Sequence, residues 1–208
     1  QTSVPASGTI NLKSGSGDST ITYSSYTTEP ANPFWNNGAL DFQNYSTQYC
    51  NGDSIDFIVA QFGINDINDY IEDVLANTYI KPFIRAYHTQ YPNGKFLIGG
   101  LQIPSPIGGM GANYGANTRW NFYKFAIKVW EYSKAIYALA KESEFSSYVR
   151  IIASTEEFDC EFGYPSSATP VNNRSETTEQ LGTNGVHPTE DGKKLISDSI
   201  YRCLSQGL

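Results

Sequence analysis

Basic charge is scarce in this chain of 208 residues, where fourteen Lys and Arg stand against twenty-one Asp and Glu and leave a net charge of −7. A partner held through a phosphate backbone needs a dominant basic surface, so nucleic acid is not expected as a ligand. Long apolar runs are missing as well. No stretch approaches the roughly 18 residues of a membrane-spanning helix, and the N-terminus QTSVPASGTI lacks the charged-then-apolar order of a signal segment. The reading is a soluble chain, without a membrane partner, that begins partway through a longer precursor.

Cysteine and histidine are sparse. Cys50, Cys160 and Cys203 are odd in number and widely spaced, and none has the C-x-x-C spacing of a metal site. Neither a disulfide scaffold nor a zinc site is indicated, and no metal or cofactor is expected. His88 and His187 are the only histidines. His88, in IRAYHTQYPNG, reads as a surface residue at a helix end.

Aromatic residues are plentiful, with fifteen Tyr, eleven Phe and three Trp set among Asn, Ser, Thr and Gly. That mixture suits an extracellular or virion-associated protein with a glycan-facing site, and equally a Tyr-rich core. The length supports one domain with a sizeable core, so residues 1–208 are read as a single domain.

Residues 1–50 are punctuated by Gly, Ser, Thr, Asn and Pro, which favours turns and irregular segments. Residues 54–63, SIDFIVAQFG, form an apolar run ending in Gly, as expected of a buried parallel strand. Apolar residues at three- and four-residue steps predict a helix from Ile67 to His88. KFLIGGL at 95–101 is the next strand, and Thr118 to Glu142 is a long amphipathic helix with Trp120, Phe125, Val129, Tyr132 and Ile136 on one stripe. YVRIIAS at 148–154 is a third strand. Residues 155–186 read as a long polar loop, and Glu190 to Ser205 as a final helix. This order predicts an α/β protein with an open parallel sheet and helices on both faces. Ligand sites in such sheets gather at the carboxyl ends of strands.

Two motifs fall there. FGINDI brings Gly63, Asn65 and Asp66 to the end of the first of these strands, and GTNGVHPTEDG places His187 and Pro188 just before the last helix. Taken singly, the first also fits a turn with a helix cap, and the second a structural turn. Taken together, in this order, they resemble the third and fifth blocks of the SGNH (GDSL) hydrolases, which read G-x-N-D and D-x-x-H-P. NPFWNNGALDFQNYS, GGMGANYG and YPSSATPVNNRSETTEQLGTNGVHP are similar to segments of SGNH-type proteins from gut bacteria and their phages, so the likeness spans roughly residues 15 to 206.

The resemblance implies a three-layer α/β/α sandwich around a central parallel sheet and metal-free hydrolysis of acyl esters, on a small molecule or a glycan. It also implies roles. His187 is the base, being the side chain whose unperturbed pKa lies near neutrality. The Asn65 amide is an oxyanion donor, joined by the backbone N–H of Gly15 or Gly17. The family's orienting aspartate is Asn184 in this chain, which departs from the pattern and leaves a weaker partner for an imidazolium.

Two readings of the nucleophile follow from the letters. Gly17-Asp18-Ser19 spells the family's first block, and the chain has the length of a minimal domain, which favours Ser19. Against it, GTINLKSGSGD offers only Ile10 and Leu12 before five small or polar residues, a poor context for a central strand. Reading SGSGDST as the second block fits better, with the first strand and its serine upstream of Gln1 or on another chain. The rival from another class is a binding or virion structural module that keeps the fold without the chemistry.

Overall fold

The computed structural model describes residues 7–14, 17–24, 34–64, 66–67, 74–109 and 119–206, with backbone alone in 7–14, 17–24 and 119–121. Contacts divide the chain into two units, Gln1–Ser54 and Ile55–Leu208.

The first unit opens with a two-stranded antiparallel hairpin, β1 (Ser7–Ser14) and β2 (Gly17–Ser24), in a register that runs from Ser7↔Ser24 to Ser14↔Gly17. This corrects the irregular structure expected for the first fifty residues. The Gly and Ser content masks an alternating pattern, Thr-Ile-Asn-Leu in one strand and Thr-Ile-Thr-Tyr in the other, that fits a ladder. A second, shorter hairpin joins β3 (Trp35–Asn36) to β4 (Ala39–Leu40) through Asn37 and Gly38, the residue pair that two-residue turns prefer. Helix α1 (Phe42–Tyr49) follows directly. Asp41 caps it, with Oδ1 accepting from the Asn44 N–H at 2.8 Å and Oδ2 from the Asn36 amide at 2.9 Å. Phe42 is fully buried, with its ring 4.9 Å from that of Phe34.

The second unit is built on a three-stranded parallel sheet in the order β5 (Phe57–Ala60), β6 (Lys95–Gly99), β7 (Val149–Ile152). Ile58 pairs with Phe96, and Phe96 with Val149. Between β5 and β6 the chain passes through a π-helical turn, Leu75–Ile80, that runs into α2 (Lys81–Gln90). The helix expected from Ile67 is therefore seen only from Val74 onward, residues 68–73 lying outside the described ones. Between β6 and β7 stands α3 (Arg119–Lys141). After β7 come a single turn, α4 (Ser154–Glu157), the hairpin of β8 (Ser166–Pro170) and β9 (Thr178–Gly182), and α5 (Glu190–Ser205). The β8/β9 hairpin replaces part of the polar loop expected over 155–186. Its residues are exposed at nearly every position, so no buried face imposes an alternation on the sequence.

Phe96, Leu97 and Ile98 of the central strand are fully buried, as are Ile84 and Tyr87 of α2 and Val129, Tyr132 and Ile136 of α3. Each such apolar side chain contributes about 1.5–3 kcal/mol on leaving water. The Tyr87 hydroxyl donates to the Ile55 carbonyl at 2.9 Å and ties α2 to the start of β5. This core holds the carboxyl ends of three parallel strands side by side.

Candidate active site

Those strand ends are fastened by a polar cluster that the sequence did not announce. Gln61, just past β5, donates to the Gly100 carbonyl at 2.7 Å and to Ser154 Oγ at 3.1 Å. Ser154 donates to the same carbonyl at 3.2 Å, and Thr155 to the Leu101 carbonyl at 2.9 Å. The Gly99-Gly100 doublet makes this possible, since a β-carbon on Gly99 would stand 2.6 Å from Ser154 Oγ and one on Gly100 would collide with Thr155 and Ser133. The doublet was a usable signal, because two glycines at the end of a buried strand mark a close approach of other groups. Ser154 and Thr155 are buried and bonded to backbone, which makes them fasteners of the strand ends.

At the end of β5, Gly63 has φ +107°, and a β-carbon there would lie 3.1 Å from the Tyr132 ring. Its carbonyl accepts from the Asp66 and Ile67 N–H groups, both at 2.9 Å, and closes a turn. Ile67 is fully buried, and Lys128 donates to its carbonyl. Burial raises the Tyr132 hydroxyl pKa far above its ordinary value, so it stays protonated. Asn65, the expected oxyanion donor, lies outside the described residues, as does Gly15.

The loop that carries His187 is bound to the loop that follows β6. Gly182 N–H donates to the Ile107 carbonyl at 3.0 Å, and Ser105 N–H to the Gly185 carbonyl at 3.1 Å. Gly109, at φ +87°, fits beneath, where a β-carbon would lie 2.6 Å from the Gly185 nitrogen. The Ser105 side chain is fully buried, and its Oγ has no partner among the described residues. Past Pro188, Thr189 caps α5 through its hydroxyl, 3.0 Å from the Gly192 N–H, and its own N–H reaches the Gly163 carbonyl at 2.9 Å.

Within that frame, Asn184 Oδ1 accepts from the Val186 N–H at 3.0 Å and the His187 N–H at 2.8 Å. Its Nδ2 lies 3.0 Å from His187 Nδ1. The two residues singled out from the D-x-x-H likeness are thus in direct contact. The His187 side chain is exposed, so a ligand can reach it from solvent.

Gly17 and Ser19 belong to the other contact unit. They lie in the first unit, where Gly17 begins β2 and Ser19 pairs with Leu12 across the antiparallel hairpin. His88 lies in the last turn of α2, at the helix end where it was expected, but it is half-buried and stacks on Tyr148, with ring centroids 3.6 Å apart and planes within 3°. Aromatic stacking and the apolar underside of α2 draw it inward. Cys50, Cys160 and Cys203 are all unpaired, and burial raises the thiol pKa of Cys160 and Cys203. The described residues therefore define an α/β protein with a three-stranded parallel sheet and an Asn–His pair on the loop before its last helix. No protein-family model matches the chain, and no curated protein matches it.

Proposed function

We propose that the second unit carries the histidine block of an SGNH-type hydrolase, a three-layer α/β/α fold around the parallel sheet, and that its reaction is the cleavage of acyl esters. Acyl decorations of glycans, met outside the cell or at a virion surface, are the substrate class. The observation that carries this reading is the Asn184–His187 contact at 3.0 Å, on a loop bound to the segment after β6 and placed directly before the last helix.

In this reading His187 Nε2 takes the proton from a serine hydroxyl as the oxygen attacks the ester carbonyl. It returns that proton to the departing alkoxide, and water then releases the acyl group by the same steps in reverse. Asn65 is the side-chain donor to the oxyanion, and no metal takes part. The serine is proposed to arrive on a further strand beside β5. Among the described residues β5 is paired on its β6 side alone, and its Phe57 and Val59 are 42% and 39% exposed. Parallel strands are ordinarily covered on both faces, which supports placing the further strand and its helix at β5 in this reading.

A binding or virion structural module is the second reading, favoured by one observation: Asn184 turns its amide nitrogen, not a carboxylate oxygen, toward the imidazole. Hydrolysis of a small aryl acetate by the full-length protein separates the two. The proposal expects turnover that nearly vanishes in His187→Ala with an unchanged thermal midpoint. A His187→Ala protein as active as its parent excludes His187 as the base.

A further inference from the structure

We infer that Asn184 is a positioning residue that holds neutral His187 mainly in the tautomer protonated at Nε2, so that the base tautomer used in the proposed hydrolysis is the minor one in the chain as encoded. The argument begins with the orientation of the Asn184 side chain. One of its two terminal atoms receives two backbone N–H groups, Val186 at 3.0 Å and His187 at 2.8 Å. Only the carbonyl oxygen can accept from both, since an amide nitrogen in that place would set donors against donors. The amide is therefore fixed by its own backbone, whatever the imidazole prefers.

The remaining atom, Nδ2, faces His187 Nδ1 at 3.0 Å. Nδ2 is a donor only, so Nδ1 must present its lone pair. A neutral imidazole carries one proton, which is left to Nε2. Proton abstraction from a serine requires the opposite tautomer, with Nδ1–H turned inward and the lone pair on Nε2. That tautomer, and the imidazolium that proton abstraction would produce, both set an N–H of the ring against an N–H of the amide. The arrangement is held firmly, because Gly185 is buried with its carbonyl bonded to Ser105 and Gly109 fills the space beneath.

The ligand chemistry follows from the donor. Nε2–H is the donor of this tautomer, and an acceptor oxygen, such as the carbonyl of an acyl group or a carboxylate, is the chemistry that matches it. A single isosteric change reverses it. In Asn184→Asp one oxygen keeps the two backbone N–H groups, and the other, now an acceptor, draws Nδ1–H inward and leaves the lone pair on Nε2. In serine proteases the reverse exchange, carboxylate to amide, costs about 10⁴ in kcat because the histidine is left in the wrong tautomer.

The tautomer part of this inference stands without the esterase reading, and the activity part rests on it. Nitrogen-15 NMR of the imidazole, at a pH where His187 is neutral, tests the first. The expected wild-type spectrum has protonated Nε2, unprotonated Nδ1 and a coupling through the hydrogen bond between Asn184 Nδ2 and His187 Nδ1. Asn184→Asp should lose the coupling and move the proton to Nδ1. A wild-type ring protonated at Nδ1, or an Asn184→Asp ring still protonated at Nε2, overturns the inference. In the full-length protein the same variant should raise aryl acetate turnover at least about tenfold, with ~10⁴ as the ceiling. A switched tautomer with flat turnover upholds the inference about Asn184 and sinks the hydrolase reading.

Discussion

Gly109 lies directly under Asn184: a β-carbon at position 109 would stand 2.8 Å from the Asn184 backbone nitrogen, and the Gly109 backbone sits at φ +87°. The loop after β6 and the loop before α5 can meet at this point only because no side chain intervenes. Gly109→Ala should therefore cost about 1–3 kcal/mol, the range for a non-glycine residue forced into such backbone. It should also displace Asn184 from His187. Denaturant unfolding measures the first effect, and the amide resonances of Val186 and His187 report the second. An unchanged pair of resonances would show that the contact is not what sets the loop.

Asn65→Ala in the full-length protein should lower kcat more than it alters KM, by a factor on the order of 10²–10³, because an oxyanion donor forms its bond mainly in the transition state. Steady-state kinetics on an aryl acetate provides the check. An effect confined to KM would give Asn65 a role in substrate binding or in capping the turn after Gly63.

Much of the second unit was legible because its elements are either fully buried or strongly one-sided. KFLIG carries Phe96, Leu97 and Ile98 in an unbroken apolar run, and α3 repeats Phe125, Val129, Tyr132 and Ile136 at helical steps, so each declared its own kind of element. The two hairpins β1/β2 and β8/β9 were not legible. In the first, Gly and Ser dilute the alternation, and in the second both faces are exposed, which removes the constraint that writes a period into a strand. The candidate site divides in the same way. Asn-x-x-His ahead of a helix could be read from the letters. Which end of the Asn184 amide meets the ring could not, because that is decided by two backbone N–H groups whose positions exist only in the folded loop.

Asp41 gives a prediction that depends on pH. The Asn36 amide, then the Asn44 N–H, bond its carboxylate and lower its pKa below the usual 3.8. A folded-state pKa that is depressed contributes stability above the unfolded value, and the contribution is lost as pH falls through the folded one. Protection of the α1 amides should thus hold near neutrality and decline below about pH 4, where carboxylates of ordinary pKa become protonated. Asp41→Ala should cost roughly 0.5–2 kcal/mol at neutral pH, as for other N-caps, and Asp41→Asn should keep most of the cap while losing the pH dependence. Hydrogen exchange at Asn44 across pH is the check. A pH dependence that survives in Asp41→Asn would assign it to another group.

The most direct test of the central claim, that His187 serves a serine which is not Ser19, is to label the full-length Asn184→Asp protein with a fluorophosphonate and map the adduct by mass spectrometry. In that variant a carboxylate leaves the imidazole free to act as a base. The expected result is stoichiometric modification of one serine other than Ser19, abolished when His187→Ala is added. Ser19 is not expected to react, because it lies within an antiparallel hairpin of the first unit and not at the carboxyl end of a parallel strand. An adduct on Ser19 that disappears with His187 would contradict the assignment of the nucleophile, and labelling indifferent to His187 would contradict the site itself.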